Sequence, residues 1–193
     1  MKKSVRDATL RLTESAIMIA VAVVLSEFTV LKFPYGGSVT LFSQLPIVVI
    51  AYRYGTKWGL FTGAAMGIIE MILGANNFSY VTGITAVLIL AFTDYLLAFG
   101  VLGLGGIFRG RLKKQSVELA LGALVSSLLR YACHFVSGVT IWSGYAAQAN
   151  QAVAVYSLSY NGSYMIPETI ITIIGAVAVG AAFDLSKKEI SRR

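Results

Sequence analysis

The sequence predicts an all-α integral membrane protein, with six transmembrane helices in one bundle and both termini cytoplasmic. Three observations carry that prediction. Of 193 residues, 56% are hydrophobic and only 13% are charged, about half the charged fraction of a soluble domain. The apolar residues gather into six stretches, most of them near the ~20 residues that a bilayer-crossing helix needs. The basic residues fall between those stretches in an alternating pattern.

The first helix is expected over 10–27, behind a basic lead of Lys2, Lys3, Arg6 and Arg11. It has no convincing small-x-small cleavage site and continues into Glu27, so it reads as a retained helix and not a signal peptide. The second, over 39–52, is the shortest and contains Pro46. It needs tilt, a kink or shielding by neighbours to sit in a bilayer. The third, 57–75, carries Gly59, Gly63 and Gly67 at four-residue spacing, which lets helix backbones approach closely in lipid. The fourth, fifth and sixth are expected over 83–107, 117–138 and 163–184. Outer connections at 28–38, 76–82 and 139–162 are long and rich in aromatic and polar residues. Residues 1–193 read as one membrane-embedded domain with no internal repeat.

A net charge of +7 raises nucleic acid as a partner, but the placement of the charge argues against it. If the chain crosses six times, 14 of the 16 basic residues fall on one side. Lys32, in an outer loop, and Arg130, inside the fifth helix, are the exceptions. The positive-inside rule puts that basic side in the cytoplasm and the protein in the cell membrane. The single Cys133 excludes an internal disulfide and any multi-cysteine metal site. No G-x-S-x-G, H-E-x-x-H or G-x-x-x-x-G-K-[ST] pattern occurs, which argues against hydrolytic and ATP-cleaving chemistry in this chain.

Ionisable groups inside hydrocarbon are costly and mark function by default. Glu27, Asp94, Arg130, His134 and Glu168 lie toward the outer ends of their spans, with Glu70 deeper. Asn161, Tyr164, Glu168 and Thr172 share a helix face that either hydrogen-bonds to neighbouring helices or lines a ligand. Ser127, Arg130, His134 and Gly138 make a similar face. Arg130 needs a counter-charge, with Asp94, Glu70 and Glu168 as candidates. His134, the only histidine, is either a ligand contact or a satisfied interior side chain. Asp94 stands beside Tyr95, and Tyr35, Trp142, Tyr145 and Tyr156 come from the outer loops. A carboxylate among aromatic faces is what an organic cation requires. Ala16 and Ala20, at four-residue spacing, suit packing within the chain or against a partner.

Six segments occur in an order and spacing that together resemble one family: RLTESAIMIAVAVVLSE (11–27), YGGSV (35–39), IAYRYGTKWGLFTG (50–63), DYLLAFG (94–100), SLLRYACHFVSG (127–138) and YSLSYNGSYMIP (156–167). Over nearly its whole length the chain resembles the thiamine-specific substrate-binding component (S component) of energy-coupling factor transporters. The resemblance implies a non-enzymatic protein of six helices, without a cofactor. It would bind thiamine in a pocket near the outer surface and work with a transmembrane coupling subunit and two ATPases. By position it implies that Asp94 faces the ligand's positive charge beside Tyr95, and that His134 lies near the aminopyrimidine. Trp142 would stack on the ligand, and Tyr156 and Asn161 would form a polar pair. Ala16 and Ala20 would meet the coupling subunit. Two features depart from the pattern: Asp94 stands where some relatives carry glutamate, and loop 28–38 has no tryptophan, leaving Tyr35 or Phe33 to stack. A riboflavin- or pyridoxal-binding S component is one rival reading. A small intramembrane enzyme using His134 with Glu70 or Asp94 is the other. The central expectation is an outward-opening hollow walled by rings and holding a lone negative countercharge.

Overall fold

A computed structural model describes residues 2–187 and 191–192. Lys188 and Arg193, counted above among the cytoplasmic basic residues, lie outside the described residues. Helix α1 (Lys2–Glu27) leads into an antiparallel hairpin of β1 (Thr29–Lys32) and β2 (Ser38–Thr40). Helices α2 (Leu45–Tyr54) and α3 (Thr56–Leu73) follow. Then come α4 (Ile84–Gly106), α5 (Gln115–Thr140), the short α6 (Ser143–Gln148) and α7 (Val153–Ala182).

Four of these helices, α1, α4, α5 and α7, are long and apolar enough to cross a membrane. The expected second span fails in a specific way. Residues 38–40 are drawn out as a strand, and the helix starts only at Leu45. Pro46 sits in its first turn, where a missing N–H leaves no hydrogen bond unmade. At 10 residues, α2 is too short to span alone. The last helix instead begins earlier than expected, at Val153. Asn161 and Gly162 do not break it, because the Asn161 amide donates to the Ser157 carbonyl one turn back, at 2.9 Å. Tyr156 and Asn161 therefore stand on α7 and not in a loop.

Small residues set the helix spacing. A Cβ on Gly63 would lie 2.3 Å from the Phe99 carbonyl oxygen, and one on Gly67 would lie 2.6 Å from that of Tyr95. Helix α3 thus packs backbone to backbone on α4. Where they meet, residues Leu90–Leu97 of α4 wind as a π-helix, a local widening that recurs at functional sites. Ile47 of α2, Met66 of α3 and Leu90, Tyr95, Phe99 and Leu102 of α4 form a core where these three helices meet. Ile72, Ile84, Leu88 and Ile174 are exposed, as side chains turned to lipid would be.

Two polar ends result. At one, Glu14 of α1 takes Arg53 bidentately (2.8 and 3.0 Å) and accepts from the Tyr54 hydroxyl at 2.7 Å. Nearby, the Trp58 indole donates to Ser15 at 2.8 Å. At the other, α1, α3 and α5 finish and α4 and α7 begin, and there the chain encloses a cavity.

Candidate functional site

The cavity has a volume of about 360 Å3 and draws on the hairpin and every long helix. Its mouth is aromatic. Tyr35, from the hairpin turn, lies 4.1 Å from Tyr145, 5.6 Å from Tyr80 and 6.5 Å from Trp142 between ring centroids. Tyr35 holds φ of 63°, a conformation that is uncommon for a bulky residue. The surrounding rings hold it there. Tyr156 and Tyr160 stack at 5.8 Å on the α7 side.

The centre is built on Asp94, which the π segment of α4 presents. Its Oδ1 lies 2.7 Å from His134 Nδ1. Its Oδ2 accepts from the Ser137 hydroxyl and, at 3.4 Å, from the Trp142 indole N–H. The three partners sit within nine residues of one another, because His134 and Ser137 share a face of α5 and Trp142 follows its end. The His134 Nε2 is buried and has no hydrogen-bond partner among the described residues.

The floor is polar. Glu168, only 4% exposed, accepts from the Thr40 amide at 2.5 Å, from the Thr40 hydroxyl, and from the Gln44 amide at 2.6 Å. This latch ties Thr40, at the end of the β2 strand that pairs with β1, to α7. Glu70 accepts from Ser26 at 2.7 Å.

Asp94, Tyr95, His134, Trp142, Tyr156, Asn161, Tyr35, Tyr164 and Glu168 all line this one cavity, but not all are free for a ligand. The Tyr95 hydroxyl accepts from Asn77 and donates to the Gly74 carbonyl. Asn161 accepts from the Tyr164 hydroxyl at 2.6 Å and donates to the His134 and Ser157 carbonyls. These groups shape the wall.

Two expectations need correcting. Asp94 is not a lone countercharge, since Glu27, Glu70 and Glu168 line the same cavity. Arg130 forms no ion pair within 4 Å among the described residues. Its guanidinium instead lies 4.3 Å over the Phe99 ring, a cation–π contact in place of a carboxylate. Phe33 lines the same cavity and packs on Tyr160 and Tyr164 at 6.4 and 6.1 Å, while Tyr35 meets Tyr80, Trp142 and Tyr145. Sequence reasoning passed over Ser137, Tyr80, Thr40 and Gln44. Only Ser137 carried a signal, three residues after His134 on one face. Ala16 and Ala20 are exposed on α1, outside the site. No cluster of His, Cys, Asp and Glu suited to a metal occurs among the described residues.

Long apolar helices around a ring-walled cavity with a fixed carboxylate define a helical membrane protein with a site for a small organic molecule. Residues 12–185 match the family described as "Thiamine transporter protein (Thia_YuaJ)", and the chain belongs to that family. It is 36% identical over 175 residues to the thiamine transporter ThiT of Bacillus subtilis (strain 168), covering 85% of this chain and 86% of that one. Thiamine transporter ThiT of Lacticaseibacillus paracasei is 30% identical over 143 residues, covering 69% and 68%. A solved structure of ThiT from Listeria monocytogenes superposes with a TM-score of 0.73 at 25% identity, covering 89% of this chain and 93% of that chain.

Proposed function

We propose that this chain captures thiamine from outside the cell as the membrane-embedded binding subunit of a vitamin-uptake transporter. One observation carries the reading: in a member of the thiamine transporter family, a carboxylate anchored by His134, Ser137 and Trp142 lies under a ring of aromatic side chains. Asp94 compensates the thiazolium charge. Trp142, Tyr35 and Tyr145 cover the flat rings, and aromatic faces add attraction to a cation. His134 meets the aminopyrimidine, while Asn161, Tyr164, Tyr95, Tyr156 and Glu168 hold the wall in shape.

In the bilayer, α2 and α3 join the four long helices in a six-helix bundle with both termini cytoplasmic. The basic residues at the end opposite the cavity support that orientation. Ala16 and Ala20, exposed on the sparsely packed α1, form the contact with a transmembrane coupling subunit. Two ATPases attached to that subunit supply the energy for uptake.

Tryptophan fluorescence tests the site. The protein has two tryptophans, and Trp58 lies at the far end beside Ser15. Thiamine should quench the emission of Trp58→Phe and leave that of Trp142→Phe unchanged. Quenching that survives in Trp142→Phe, or its absence in both variants, would refute the assignment.

A further inference from the structure

We propose that the loop joining α4 to α5, residues 107–114, is a docking site for anionic phospholipid headgroups in the leaflet opposite the cavity. The inference rests on the membrane reading and not on the identity of the vitamin.

The loop reads IFRGRLKK and places four cations, Arg109, Arg111, Lys113 and Lys114, within six residues. All four are exposed. None forms an ion pair within 4 Å among the described residues. Arg109 is partly committed, since its guanidinium donates to the Arg53 carbonyl at 2.5 Å. A cluster of this size at the end of a spanning helix attracts anionic headgroups through the negative potential of the membrane surface. Leu112 stands between Arg111 and Lys113 and is 42% exposed. An apolar side chain flanked by cations suits the boundary between headgroups and acyl chains, where the leucine enters the apolar layer and the cations stay at the phosphates. An acidic protein face would meet the cations alone. A lipid meets both, with phosphate and acyl chain supplied by one molecule.

The backbone of the loop is already ordered. The Arg109 and Arg111 amides donate to the Gly106 and Phe108 carbonyls at 3.1 and 3.0 Å. Gly110 turns the chain at φ of 71°, a conformation open to glycine at little cost. The Leu112 N–H donates to Glu118 Oε1 at 2.8 Å, and the Tyr52 hydroxyl donates to Oε2 at 2.5 Å. Glu118, 3% exposed, thus clamps the loop from beneath, against α5 and α2. Its charge is turned away from solvent and engaged, and four cations outnumber it at the surface. Glu14 and Asp184, at the same end, are paired with Arg53 and Lys187. A surface ordered before its ligand arrives binds at lower entropic cost.

Lipid retention tests this. The chain is reconstituted in vesicles of phosphatidylcholine and phosphatidylglycerol in equal parts and extracted in mild detergent at low salt. The lipid that stays with it is quantified by mass spectrometry. The unaltered chain should retain phosphatidylglycerol over phosphatidylcholine by about tenfold, and extraction at about 1 M salt should erase most of that preference. The triple variant Arg111→Gln, Lys113→Gln, Lys114→Gln should bring the ratio close to one. The triple variant Arg6→Gln, Lys57→Gln, Lys187→Gln removes the same charge from other exposed positions at that end, and should keep most of the preference. Leu112→Ser keeps every charge of the loop and should lower the ratio severalfold. No preference in the unaltered chain, an equal loss in the two triple variants, or an unchanged ratio in Leu112→Ser overturns the proposal; the first of these leaves the loop to an acidic protein partner. Thiamine binding, at the far end of the bundle, should be the same in every variant. If thiamine does not bind at all, the vitamin reading fails by itself and the lipid ratio still decides this one.

Discussion

Replacing Asp94 by alanine tests how the charge is used. Both carboxylate oxygens are already occupied by protein donors, and a thiazolium ring has no N–H to offer. The attraction between them is therefore a through-space charge interaction. At ~4 Å and an effective dielectric of ~20 it amounts to about 4 kcal/mol, within the roughly 2–5 kcal/mol lost on truncating one partner of a buried charge pair. At ~1.4 kcal/mol per tenfold, thiamine affinity should drop roughly 30- to 4000-fold. Titration calorimetry on the purified variant reads this directly. The neutral aminopyrimidine half of thiamine serves as the control and should lose far less affinity, because the charge interaction does not involve it. Near-native thiamine binding by Asp94→Ala would refute the reasoning. So would an equal loss for the neutral fragment, which would mean that the site had collapsed.

Other perturbations probe the scaffold and the partner face. Glu168→Ala strands three donors on Thr40 and Gln44. It should cost about 2–4 kcal/mol, seen as a fall of roughly 5–15 °C in the thermal midpoint in detergent; Glu168→Gln should recover part of it. Gly63→Val forces a side chain onto the Phe99 carbonyl oxygen and should abolish a cooperative melt or lower its midpoint strongly. Gly144→Ala, with nothing within 4 Å of the added carbon, should melt like the unaltered chain. Ala16→Leu with Ala20→Leu should leave thiamine binding intact while preventing co-purification with the coupling subunit. Intact assembly would place the partner contact elsewhere.

The helical class and the residues gathered in the cavity were legible because both rest on residue type and spacing. Apolar run length identified the long helices, and the costly ionisable groups Asp94, His134 and Glu168 marked the cavity wall. What stayed hidden was non-local. Thr40 is tied through its amide and hydroxyl to Glu168, 128 residues away, and no local propensity encodes that. The π-helix around Asp94, against which Gly67 of α3 packs at Tyr95, is marked by no local pattern in the sequence. Arg130 was expected to need a carboxylate, yet the Phe99 ring met it, because an aromatic face is a counter-charge that charge counting misses. The last helix was expected from 163, and it begins ten residues earlier, at Val153, within the stretch that aromatic and polar composition marked as an outer loop.

Equilibrium binding of labelled thiamine to the purified chain, without any coupling subunit or ATPase, tests the central claim most directly. One saturable site per chain is expected, undisturbed by excess riboflavin or pyridoxal. Absence of saturable thiamine binding, or displacement by either competitor, would contradict it.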